Sequence, residues 1–128
     1  MKHILLVEDE PDVALVTKTR LELIGFQVSL AKDGMEALNM VERVRPDLVL
    51  LDLKMPKLDG YQVCKRLKIY ERTKNIPVIL FSGSSSYMIA LERKCLELGA
   101  DDFIRKPYET KTLIKKITSL TKTEDNKK

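Results

Sequence analysis

The chain carries 128 residues, 44% of them hydrophobic and 33% charged, with two cysteines and a formal net charge of +4. This is the size of one domain that buries its own core, and the composition excludes a disordered chain, a disulfide framework and a four-thiolate zinc site. The net charge suggests nucleic acid only until it is divided: residues 1–53 hold 10 acidic and 6 basic residues, 54–74 hold 2 and 7, and 105–128 hold 3 and 8. Basic runs of this kind are read as solvated helix faces.

Residues 3–8 read as a buried strand, apolar on both faces. Glu8, Asp9 and Glu10 cut the run off, so a signal peptide is not expected. No apolar run approaches the roughly 20 residues of a membrane span, and a soluble, cytoplasmic chain is expected. Pro11 suits the first turn of a helix over 11–24, with Val13, Val16, Leu21 and Ile24 as its inward stripe and Gly25 as a left-handed cap. A second strand, 26–31, alternates Phe26, Val28 and Leu30. Asp33-Gly34 turns the chain into a helix over 35–44, with Met35, Leu38, Val41 and Val44 inward. Pro46 stops it before a third buried strand, 47–52. After a loop from Leu53 to Leu58, Asp59 caps a helix over 60–69 with Val63, Cys64 and Leu67 inward. Pro77 opens a fourth strand, 78–81, and a polar loop, 82–86, leads to a helix ending at Leu98 before Gly99. A fifth strand, 102–105, a turn at Lys106-Pro107 and a helix over 109–120 follow, the helix burying Leu113, Ile114, Ile117 and Leu120. The domain is expected to span 1–120, with 121–128 a polar, disordered tail.

Five strand–helix repeats imply an α/β fold, a parallel sheet with helices on both faces. In such sheets the site lies beyond the carboxyl ends of the strands. Strand one ends in Glu8 and Asp9, strand three in Asp52, strand four in Ser82 and strand five near Lys106. Singly these are helix-dipole acids and turn formers; together they share one rim. Carboxylates about 5 Å apart repel by roughly 3 kcal/mol per pair at an effective dielectric of 20. A divalent cation relieves this, and carboxylates without His or Cys favour Mg²⁺. An ionised acid beside a cation, a lysine and a hydroxyl suits formation of an aspartyl phosphate.

The arrangement resembles the receiver domain of two-component response regulators, of the single-domain chemotaxis-regulator kind. The resemblance runs from Lys2 to Leu120 and rests on four motifs: Val7 to Glu10, Asp47 to Gly60, Phe81 to Gly83 and Gly99 to Pro107. It implies a flavodoxin-like five-stranded parallel sheet in the order 2-1-3-4-5. It implies Asp52 as phosphoacceptor, Asp9 as a direct Mg²⁺ ligand, Glu8 as a ligand through water and Lys54 as a backbone-carbonyl ligand. Ser82 matches the switch hydroxyl, Lys106 the lysine that pairs with the phosphoryl group, and Phe103 the aromatic switch residue. Lys106-Pro107 is often cis in the family. The implied partners are a sensor histidine kinase or phosphotransfer protein and a downstream protein target, with no direct nucleic acid and no membrane insertion. The implied state is a monomer or a weak dimer through the face from the fourth helix to the fifth. Glu8 stands where Asp is more frequent, Phe103 lacks the hydroxyl of a Tyr, and the Lys54 charge bears on dephosphorylation.

Met55-Pro56 and Asp59-Gly60 read as the structural setting of the acceptor loop, and Cys64 and Cys95 as core thiols. Ser84, Ser85 and Ser86 read as a mobile loop. Tyr87, Ile89 and Leu96 do not all fit one inward helix face and are candidates for a partner surface. The reading is a phosphorylation-controlled binding switch that assists its own phosphorylation and dephosphorylation, not a metabolic enzyme. A receiver fills this length, so output is expected through another protein. The alternative is a receiver-like scaffold that binds partners without phosphorylation. A flavin phosphate would be repelled by Glu8, Asp9 and Glu10, and an aspartate-nucleophile phosphatase would carry an acid where Lys54 stands.

Overall fold

The computed structural model describes residues 1–55 and 59–121. The elements are β1 (His3–Val7), α1 (Pro11–Ile24), β2 (Gln27–Ala31), α2 (Gly34–Val44) and β3 (Leu48–Asp52), then α3 (Gly60–Ile69), β4 (Val78–Ser82), α4 (Ser86–Leu98), β5 (Asp102–Arg105) and α5 (Thr110–Leu120). The strands form one parallel sheet in the order β2-β1-β3-β4-β5. It is flavodoxin-like. Each helix returns the chain to the start of the next strand, so all strand ends meet on one rim.

Alternation along the strands divides the core. Leu5, Val7, Val49, Leu51, Val78 and Leu80 face the side covered by α2, α3 and α4, where Ala37, Val41, Val63, Cys64, Leu67 and Cys95 meet them. Ile4, Leu6, Leu48, Leu50, Ile79, Phe81 and Ile104 face the other side, against Leu21 of α1 and Leu113 and Ile117 of α5. Each such Leu, Ile or Val contributes about 1.5–3 kcal/mol by leaving water. Both cysteines are free and buried.

The helix boundaries follow the chain's punctuation. Asp33, Asp59 and Ser85 cap α2, α3 and α4 by accepting from the N–H of Glu36, Gln62 and Met88. Gly25 and Gly99 end α1 and α4 in the left-handed region, at φ 116° and 117°. Two expected inward faces need correction. On α1 the sheet side is Ala14, Thr17 and Leu21, while Val16 and Ile24 are exposed. Apolar residues lie all round this helix, so periodicity does not select a face. On α2 the buried residues are Gly34, Ala37 and Val41, and Met35 lies outside, where the helix starts at the rim. Ser86, expected in a loop, begins α4. Pro56 and residues 122–128 of the expected tail lie outside the described residues.

Candidate functional site

Register builds the site. Val7 of β1 pairs with Leu51 of β3, so the next residues, Glu8 and Asp52, stand level on the rim. Asp52 pairs with Phe81 of β4, and Phe81 with Ile104 of β5. Lys106, two residues past Ile104, rises on the same side, its Nζ 5.4 Å from the Phe81 ring centroid. Ser82 pairs with Arg105, and the Lys106 N–H donates to the Ser82 carbonyl at 2.9 Å.

Lys106 Nζ lies 3.3 Å from Asp52 Oδ2 and 3.4 Å from Glu8 Oε1. The second Asp52 oxygen, Oδ1, accepts from the Lys54 N–H at 2.9 Å. Asp52 and Glu8 are 5% and 4% exposed, so their charges are hard to leave uncompensated. Burial and the neighbouring Asp52 charge push the Glu8 carboxyl up to about 7, against the downward pull of Lys106. Burial works to lower the Lys106 pKa, but the charges of Asp52 and Glu8 outweigh it and the net shift is upward. Glu8, Asp9 and Asp52 each offer an oxygen, all within 4.8 Å of one another. Such a set suits a hard cation with retained waters, and one lysine cannot neutralise three acids.

Asp9, Glu10, Asp52, Lys54, Ser82 and Lys106 line one cavity of about 610 Å³, together with Met55, Gly83 and Met88. The buried Ser82 hydroxyl donates to the Gly83 carbonyl at 3.1 Å. Phe103 does not line this cavity. It is half-buried on β5, two strand positions from Arg105. The Lys106–Pro107 peptide is cis. Sequence reasoning missed Met88, which closes the cavity from the first turn of α4; its place six residues after Ser82 was the available signal. It also missed the pairing of Glu92 with Arg105, because a lone acid on a helix reads as a solvent-facing charge.

Residues 4–118 match the family model described as "Response regulator receiver domain". A probable transcriptional regulator, ycf27, of Cyanophora paradoxa is 42% identical over 98% of this chain and 50% of its own length. The chain spans about half the length of the curated relatives it matches. The receiver domain of a signal transduction histidine kinase from Syntrophus aciditrophicus superposes with a TM-score of 0.86 at 38% identity, over 94% of this chain and 90% of that one. The receiver domain of the sensor histidine kinase PA1611 from Pseudomonas aeruginosa does so with a TM-score of 0.82 at 30% identity, over 94% and 97%; that structure has a magnesium ion coordinated in its active-site cleft. The chain therefore belongs to the response regulator receiver domain family.

Proposed function

We propose that the chain accepts a phosphoryl group on Asp52 from a histidine kinase or phosphotransfer protein and uses it to control a protein-binding surface. The observation that carries this reading is the convergence of Asp52, Lys106, Ser82 and the acids Glu8 and Asp9 on one rim. An Asp52 oxygen attacks the phosphorus of a phosphohistidine, the N–P bond breaks, and the imidazole leaves with its electron pair. Lys106 neutralises charge on the transferring group, and the Ser82 hydroxyl turns from the Gly83 carbonyl to donate to it. Asp52 needs no general base, because an ionised carboxylate has no proton to lose. Asp9 and Asp52 would hold Mg²⁺ directly, with Glu8 through water and Lys54 through its carbonyl. When bound, such an ion would supply positive charge to the transferring group.

A groove of about 420 Å³ beside the site, between α1 and Pro107–Tyr108, includes Val13, Val16 and Arg20. Leu15, Val16, Leu23 and Ile24 lie exposed on α1. This is the surface we assign to the phosphodonor. The α4 to α5 face, with Tyr87 68% exposed, is assigned to the downstream protein or a second copy. We assign no direct nucleic-acid contact to this chain, because its basic residues are divided among separate segments. The domain is assigned to residues 1–120 and to the cytoplasm; no described helix is long and apolar enough to cross a membrane.

Incubation with acetyl phosphate and Mg²⁺ is expected to add one phosphoryl group, read by intact-protein mass, and Asp52→Ala is expected to abolish it. An unmodified wild-type protein, with donor and metal verified, would leave the scaffold reading in its place.

A further inference from the structure

β5 puts Phe103 and Arg105 two residues apart on one face, and the Arg105 guanidinium carbon lies 4.9 Å from the Phe103 ring centroid. Lys116 of α5 approaches the same ring, its Nζ 5.9 Å from the centroid, while pairing with both Asp102 oxygens at 3.1 Å. A ring without a hydroxyl is thus held by two cations instead of a hydrogen bond. Behind Arg105 stands Glu92 of α4, 3% exposed, whose Oε2 accepts from Arg105 Nη2 at 3.0 Å.

Glu92 Oε1 and Arg105 Nε are both buried, and neither has a hydrogen-bond partner among the described residues. Carboxylate and guanidinium meet most favourably through two parallel bonds. Nε shares Cζ with Nη2 and Oε1 shares Cδ with Oε2, so these are the two atoms that a second, parallel bond would join. The pair is half made. The same guanidinium also rests on the Phe103 ring. Arg105 also occupies the ladder rung of Ser82, and the Lys106 N–H bonds to Ser82, so a shift at the phosphoryl site acts directly on this strand end.

We infer that Glu92 and Arg105 form a two-position latch. In one position Arg105 is shared between Glu92 and the Phe103 ring, as in this structure. In the other, Phe103 has turned away and Arg105 closes the second bond to Glu92. Phosphorylation favours the second position, because it moves Ser82 and Lys106 and frees the ring. Glu92 is a positioning residue acting through Arg105, and a buried unpaired donor and acceptor bias the resting latch toward closure. The latch rests on the proposed phosphorylation of Asp52.

Beryllofluoride with Mg²⁺ tests it, with nitrogen-15 NMR of the Arg105 Nε–H group assigned by its loss in Arg105→Lys. In the wild-type protein the Nε–H signal is expected to move downfield and exchange more slowly with solvent as beryllofluoride saturates. Glu92→Gln keeps the shape but cannot accept at both positions. It is expected to lose that change and to need about 5-fold more beryllofluoride for half-saturation, the worth of one buried hydrogen bond. Arg105→Lys, which cannot make the fork, is expected to raise half-saturation similarly, so the test does not depend on one variant folding. Amides around Ser82 that respond while Nε–H stays unchanged overturn the latch and leave the phosphoacceptor reading intact. No amide response to beryllofluoride and Mg²⁺ overturns that reading and the latch with it.

Discussion

Gly60 shows how one residue sets the geometry of the acceptor. A Cβ built there would stand 2.5 Å from the Leu53 Cα and 2.8 Å from the Asp52 carbonyl oxygen. Both are backbone atoms of the segment carrying the acceptor, so neither can yield without moving it. The first residue of α3 must therefore lack a side chain, and the Asp59 cap fixes where that residue falls. Gly60→Ala is expected to cost about 1–3 kcal/mol, as overpacking does. A lower urea midpoint with an unchanged slope would show it, together with slower labelling by acetyl phosphate. A wild-type midpoint would mean that α3 does not press on the acceptor strand. Asp59-Gly60 was legible as a structural pair, because a capping acid before a helix carries a mechanism. The close approach was not, since it depends on how tightly α3 seats against β3.

At the scale of elements, Lys68 ties three of them together. Its side chain is 5% exposed, and its Nζ donates to the carbonyls of Lys74 and Ile76 at 3.2 and 2.8 Å and to Asp101 Oδ2 at 3.0 Å. Asp101 Oδ2 also accepts from the Val78 N–H at 2.8 Å. One ammonium thus joins α3, the entry to β4 and the turn before β5. Lys68→Met removes all three bonds and leaves a carboxylate that is a third exposed. The expected loss is about 3 kcal/mol, the low end for a broken buried pair, because water partly solvates Asp101. Chemical denaturation of Lys68→Met, Asp101→Asn and the double variant should show strong non-additivity. Additive losses would mean that the two act separately. In the sequence Lys68 belongs to a basic run, and nothing there separates it from its solvated neighbours. The elements themselves were legible for a local reason: capping acids, helix-ending glycines and short apolar runs act within a few residues. The inward face of α1 was not, because its apolar residues surround the axis and only the sheet selects among them.

Across the whole molecule, the sheet collects charges far apart in sequence and makes the site a term in global stability. Glu8, Asp52 and Lys106 come from three strand ends. Their convergence was readable before the distances were, because parallel topology sends every strand end to one rim. The folded pKa of Glu8 is about 7 against an ordinary 4.5. Between those values the folded protein holds a proton that the unfolded chain has released, so stability falls as pH rises. The protonated site's contribution is fully present below pH 4.5 and is lost as pH passes 7, a change of about 3 kcal/mol for the ion-free protein. Lys106 does not oppose this, since its upward shift keeps it charged throughout. Bound Mg²⁺ reverses the penalty by favouring the ionised acids, and protons compete with it. Mg²⁺ is therefore expected to raise the thermal midpoint more at pH 8 than at pH 6. Glu8→Gln should flatten the ion-free slope between pH 5 and 7. An ion-free midpoint that rises across that interval, or a Mg²⁺ effect larger at pH 6, would show that Glu8 is not the group coupling the fold to the site.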